Sequence, residues 1–160
     1  MNWNAIGAIS ELVGAVSVIA SLIYLAAQVR QHTRAIQSSS FQGTTDALNH
    51  INMMIASDPD LLRVISSRPS SLEELSVEDR YRYSYILLSL FRVRETAYHQ
   101  QHEGTTAQQS WTREELTLRN NLESQAAREW WKTVGYGFAP EFSQYVDGVV
   151  SDIEQSAELQ

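Results

Sequence analysis

An all-α chain is the fold class this sequence predicts, with an N-terminal apolar helix that extends into a helical bundle domain. Three observations predict it. Residues 5–27 form an almost continuous apolar run, AIGAISELVGAVSVIASLIYLAA, interrupted by one charge, Glu11. Beyond it, apolar residues recur at helical spacing between recognisable caps, while strand-like alternation is scarce. Only three prolines interrupt the 160 residues, and proline is the residue that most strongly breaks a helix.

The apolar run is long enough to cross a bilayer. Its 23 residues span roughly 35 Å at about 1.5 Å per residue, against a hydrocarbon core of about 30 Å. Trp3 and Tyr24 fall near its two ends, where interfacial aromatics sit. No Lys or Arg precedes the run, and Arg30, His32 and Arg34 follow it as a basic collar. The positive-inside rule then places the N-terminus outside and the remaining chain in the cytoplasm. A cleaved signal peptide fits less well, because the basic residues come after the apolar part and Glu11 interrupts it. A buried core helix is the other alternative, since Ala, Gly and Ser keep the run only moderately apolar.

The polar and small residues of this helix are ordered. Gly7, Ser10, Gly14, Ser17, Ser21, Tyr24, Gln28 and Gln31 recur at alternating spacings of three and four, an a/d heptad stripe. Ser10-x-x-x-Gly14 and Ser17-x-x-x-Ser21 are small-xxx-small pairs, which let helix backbones approach closely in a membrane. The opposite face, with Ile9, Val13, Val16, Ile19 and Ile23, suits lipid. With one span per chain the simplest partner is a second copy. Glu11 lies beside the stripe. In a ring of copies it would form a carboxylate ring at the outer mouth; otherwise it reaches the headgroups or is protonated.

The expected division is residues 1–40 as a transmembrane helix with a basic extension and residues 41–160 as a cytoplasmic helical domain. The first helix is predicted to end near residue 38, before Ser38-Ser39-Ser40 and Gly43, with a second helix over 44–56 carrying Leu48, Ile51, Met54 and Ile55. Asp58-Pro59 pairs a cap with a first-turn proline and opens a short helix to Ser66. Pro69 lies in a loop, and Ser71-x-x-Glu74 is a capping box for a turn or two. Ser76 starts the longest helix of the domain, Val77 to Glu103, closed by Gly104. Its middle, YSYILLSLF, is apolar nearly all round and belongs at the centre of the domain. Thr106-x-x-Gln109 or Thr112-x-x-Glu115 caps a helix through Leu116, Leu118 and Leu122. A short helix carries Ala127, Trp130 and Trp131, whose two indoles are expected to divide between core and rim rather than form an interfacial foot. Gly135-Tyr136-Gly137 reads as a loop. Pro140 starts the last helix, with Phe142, Tyr145, Val146, Val149, Val150 and Ile153 inward.

Charge and composition exclude several functions. Residues 41–160 carry 10 Lys/Arg against 18 Asp/Glu, which disfavours nucleic-acid binding. There are no cysteines, hence no disulfide scaffold and no cysteine-based zinc site. The phosphate-loop, dinucleotide, zinc-protease and nucleophile-elbow motifs are absent, and no cofactor is expected.

One cluster on the longest domain helix could carry chemistry: Arg92, Arg94, Glu95, Tyr98, His99, His102 and Glu103. Glu95, His99 and His102 share a helix face and could hold a metal, but the chain offers only His32 and His50 besides, too few for a site, so no metal is expected. Arg94-Glu-Thr-Ala-Tyr-His99 fits the R-x4-6-H pattern of the HEPN superfamily, in which an Arg and a His converge across a dimer to cleave RNA. With 11 Arg and 4 His in the chain, roughly 0.8 matches arise by chance. The preferred reading is structural: Arg92, Glu95 and Tyr98 form a polar cluster in which arginine holds a partly buried carboxylate and orders the packing, with Arg94 and Arg128 as further available partners.

The first helix also resembles the opening of a widespread, uncharacterised group of bacterial single-pass membrane proteins. Their SLxYLAxQxRxxTRA signature reads here as Ser21, Leu22, Tyr24, Leu25, Ala26, Gln28, Arg30, Thr33, Arg34 and Ala35. The similarity continues through Asp58-Pro59, Glu95-x-x-Tyr98 with Gly104, and Glu129-Trp130-Trp131 to Pro140-Glu141-Phe142. It implies a bacterial inner-membrane location and adds no mechanism. The architecture is also similar, more loosely, to the membrane-anchored accessory protein of some RNA-targeting CRISPR systems, which joins a membrane helix to a HEPN-like domain and assembles a pore.

The expected function is that of a single-pass inner-membrane protein that self-associates through its Gly/Ser stripe. Its sharper form is a homo-oligomeric pore lined by Gly7, Ser10, Gly14, Ser17, Ser21 and Gln28, ringed by Glu11, with a cytoplasmic vestibule. The alternatives are an anchored HEPN-like ribonuclease using Arg94 and His99, and a non-catalytic adaptor that recruits a cytoplasmic partner. The expected partners are a second copy and the lipid bilayer.

Overall fold

The computed structural model describes the backbone of residues 3–104 and 108–158, and the side chains of 11, 13–104 and 111–157. Among the described residues there are six α-helices, two 3₁₀ turns and no strand: α1 (Trp3–Ser57), α2 (Pro59–Ser66), α3 (Val77–His102), α4 (Gln108–Leu122), α5 (Gln125–Val134) and α6 (Pro140–Glu158). The all-α class expected from the sequence is what the chain adopts. It forms two compact units, Met1–Ser38 and Ser39–Gln160.

The first unit is helix alone among its described residues. From Val13 to Ile36 every described side chain is exposed, including Val16, Ile19, Leu22, Ile23, Leu25 and Val29. A core helix would bury one stripe of these. Here none is covered, and this helix is long and apolar enough to cross a membrane.

The predicted break after residue 38 does not occur; α1 is assigned as helix without interruption to Ser57. Three serines and a glycine cost helix only about 0.5–1 kcal/mol each, because all retain the backbone N–H and none clashes with the preceding turn. The side chains beyond the serines compensate by packing in the second unit, where Ile51 is buried and the Thr44 hydroxyl donates to Gln100 Oε1 at 3.3 Å. The effective stop is Asp58-Pro59. Asp58 turns to extended backbone and its carboxylate accepts the N–H groups of Asp60 and Leu61 at 2.9 and 3.2 Å, opening α2.

The second unit is built around α3. Ser76 caps it through Asp79 N–H at 3.1 Å, and Gly104 ends it at φ +69, a left-handed conformation that glycine adopts without Cβ strain. Tyr83, Ile86, Leu87 and Phe91 of its apolar middle are buried, whereas Tyr85 points outward. Phe91 lies 5.1 Å from Trp130 and 5.3 Å from Trp131, ring centre to ring centre, and α6 adds Phe142, Val146, Val149 and Val150 to the same core.

Four local expectations need correction. Both indoles of Trp130-Trp131 enter the core, each only 2% exposed, so neither reaches a rim. The short α5 presents them at adjacent angles against Phe91, and Trp131 satisfies its N–H on Asp147 at 2.8 Å, removing the need for water. Thr112 lies inside α4 rather than capping it, and Thr106 lies outside the described residues. Gly135–Gly137 winds into a 3₁₀ turn, closed by Phe138 N–H on Gly135 O at 3.2 Å, rather than an open loop. At the Ser71 box, the hydroxyl accepts Glu73 N–H and Glu74 reaches back to Ser70 N–H rather than to Ser71, over a single 3₁₀ turn.

Candidate functional site

Two regions hold the residues singled out by sequence. The first is the stripe of α1. Gly14 has open space where a Cβ would stand, with nothing within 4 Å. The Ser17 hydroxyl donates to Val13 O and the Ser21 hydroxyl to Ser17 O, both at 2.8 Å. These serines therefore satisfy their own donors on the helix backbone, and their small size, not an unmet hydrogen bond, is what they offer a neighbour. Gln28 Nε2 donates to the Tyr24 hydroxyl at 3.1 Å, tying the amide to the ring one turn back. Glu11 is exposed. The surroundings of Gly7 and the side chain of Ser10 lie outside what the structure describes.

The second region is the C-terminal half of α3. Arg92 and Glu95 stand one turn apart on one helix face, and Arg92 Nη1 donates to Glu95 Oε2 at 2.8 Å. Both residues also grip the segment that leads into α6. Glu95 Oε1 accepts the Ala139 N–H at 2.6 Å, and Arg92 Nη2 donates to Gly137 O at 2.9 Å. Between these bonds the Arg92 guanidinium lies 4.4 Å above the Phe138 ring. The Glu95 side chain is 13% exposed and sits at the positive end of α6. Tyr98 joins a different group. Its ring packs against Trp111, Phe142 and Tyr145 at 5.3–5.5 Å. In that group burial, with the neighbouring Glu115 carboxylate, pushes the Tyr145 phenol well above its ordinary value.

Arg94 and His99 do not meet on one surface. Five residues of helix separate their directions by about 140°. Arg94 is 2% exposed, with Nε and Nη1 lacking a hydrogen-bond partner among the described residues. Burial pushes its guanidinium down to about 10, partly offset by the charge of Glu114. A cation so enclosed is out of reach of a polyanion. His102 Nδ1 lies 2.9 Å from Tyr98 O, and Glu95 is occupied by Arg92 and Ala139. No three His, Asp or Glu side chains among the described residues are grouped to hold a metal.

Sequence reasoning missed a polar cleft of about 590 Å³ where the segment after α2, the first half of α3 and the α4–α5 corner meet. Its lining comes from three separated stretches, 65–70, 83–90 and 120–128. No local spacing links them; the one local signal is Arg68-Pro69, where the chain turns. The chain matches no protein-family model, no curated protein and no solved structure, so geometry alone carries the functional reading.

Proposed function

We propose that this chain is a single-pass membrane protein that self-associates through the small-residue stripe of its first helix, with its helical domain on the cytoplasmic side. The observation that carries the reading is the uncovered state of α1: among the described residues, no apolar side chain from Val13 to Ile36 is buried. Such a surface is costly in water and favourable in lipid. Arg30 and Arg34 at one end support the orientation, and the Ser21–Ala35 signature supports a bacterial inner-membrane setting.

Self-association is supported by the flatness of one face. Gly14, Ser17 and Ser21 allow backbones to approach, and the serine hydroxyls are already satisfied within the helix. A pore is the sharper form of the same assembly, with Glu11 at its mouth and Gln28 below. A nuclease built on Arg94 and His99 is not favoured, because the arginine is enclosed and the histidine lies elsewhere on the helix.

The deciding experiment is the mass of the complex extracted in mild detergent, for the native chain and for Gly14→Leu. A ring of five or more copies that collapses in the variant supports a pore and leads to conductance recordings. A dimer that collapses supports closed packing. A mass unchanged by Gly14→Leu overturns the stripe as the interface.

A further inference from the structure

We propose that the cleft formed by residues 65–70, 83–90 and 120–128 binds a small organic anion, a carboxylate or phosphate monoester carried on an apolar, preferably aromatic, body. The proposal is independent of how the chain is anchored. The volume, about 590 Å³, is in the range of small-molecule sites. The lining has two characters. Ile65, Tyr83, Leu87 and Leu90 provide apolar contact area, with Tyr83 only 5% exposed.

The polar part of the lining consists largely of donors. The whole chain has a net charge of −7, and in the cleft Arg128 is already paired, its Nε lying 3.8 Å from Glu154 Oε1, whereas Arg68 stands with one lining carboxylate, Glu123. A guanidinium left without a counter-ion attracts anions. Arg68 makes no hydrogen bond or ion pair among the described residues, and its backbone is held at φ +44, the left-handed region that non-glycine residues rarely adopt. The side-chain amides of Asn120 and Asn121 are likewise without a partner among the described residues. Arg128 Nη1 donates to Leu122 O and Glu123 O at 2.7 and 2.8 Å and its Nε pairs with Glu154 at 3.8 Å, which fixes the guanidinium as one wall of the cleft and leaves Nη2 with no bond among the described residues. Ser124, at the N-cap of α5, makes no side-chain capping bond; its hydroxyl donates to Pro69 O at 3.3 Å instead. A planar guanidinium and two amides beside an apolar wall match an anionic group with a flat apolar body.

The probe is phenyl phosphate, titrated by calorimetry into the full chain in a neutral detergent and phosphate-free buffer. The expected result is saturable binding with a Kd of about 1 mM or tighter, inorganic phosphate about tenfold weaker, and no binding of benzyl alcohol. Arg68→Gly is expected to weaken phenyl phosphate by about tenfold or more without lowering the melting temperature, since glycine adopts φ +44 freely. Asn121→Leu is the second variant, expected to weaken binding with the fold intact. If phosphatidic acid in nanodiscs displaces the probe, a lipid headgroup is the natural source; if it does not, the source is a soluble anion. No saturable binding up to about 10 mM, or equal affinity in the native chain and both variants, overturns the proposal.

Discussion

Glu95 Oε1 accepts the backbone N–H of Ala139 at 2.6 Å across 44 residues of sequence, and its other oxygen holds Arg92. One carboxylate thereby joins the end of the central helix to the start of the last one. Glu95→Ala removes a charge-assisted bond, leaves Ala139 N–H unsatisfied in a half-buried position and frees Arg92. The expected loss is about 2 kcal/mol, with a smaller loss in Glu95→Gln, which retains an acceptor. Denaturant titration of the detergent-solubilised chain, followed by far-UV circular dichroism, measures both. A Glu95→Gln variant as stable as the native chain would mean that the charge contributes nothing, and a loss equal to that of Glu95→Ala would mean that the neutral amide preserves none of the interaction.

Gly135 is required by contact. A Cβ there would stand 2.9 Å from Trp131 Cε2, and the indole cannot retreat because it is buried and bonded to Asp147. Gly135→Ala is expected to cost about 1–3 kcal/mol and to shift tryptophan emission. Gly137→Ala, where nothing lies within 4 Å, is the near-neutral control.

The link between α2 and α3 is acid-sensitive. Arg63 donates to both oxygens of Asp79 at 2.8 and 3.1 Å, and this pairing holds the Asp79 carboxyl down at about 2, from 3.8. A carboxylate with a lowered folded pKa contributes stability that is present above its unfolded value and lost as pH falls through the folded one. Glu129, which accepts Leu72 N–H, Ser71 and Gln125, is lowered in the same direction. Stability is expected to decline from about pH 4 to pH 2, and Asp79→Asn to flatten that limb while lowering stability at pH 7. An Asp79→Asn profile parallel to that of the native chain would assign the acid limb to other groups.

Arg94 is enclosed without partners for Nε and Nη1 among the described residues. Replacing such a cation by an apolar side chain of similar length is often neutral or stabilising. Arg94→Met is therefore expected to unfold at the same denaturant concentration as the native chain or higher, by about 1 kcal/mol. A loss of 3 kcal/mol or so would reveal a partner for the guanidinium.

Ser17→Ala separates size from hydrogen bonding in the stripe. Its hydroxyl already returns to Val13 O, so the assembly extracted in detergent is expected to keep its mass. Dissociation in Ser17→Ala would require a hydroxyl bond between helices.

Sequence alone determined the features whose causes are local. The apolar run of α1, the Asp58-Pro59 start, the Ser76 cap, the Gly104 stop and the helical periodicity of α3 and α6 each depend on a few adjacent residues, because capping and amphipathicity act within a turn or two. Arg92 and Glu95 were legible as a pair for the same reason, being one turn apart on one helix. Only the tertiary structure decided what lies far along the chain: that α1 continues past Gly43, that Glu95 grips Ala139, that Trp131 reaches Asp147, and that Arg68, Tyr83 and Asn121 share a cleft. Local propensities at the serines and Gly43 differ by less than about 1 kcal/mol per residue, and burial of side chains such as Ile51 outweighs them. Partners separated by tens of residues have no fixed spacing in sequence; the packing of the helices brings them together.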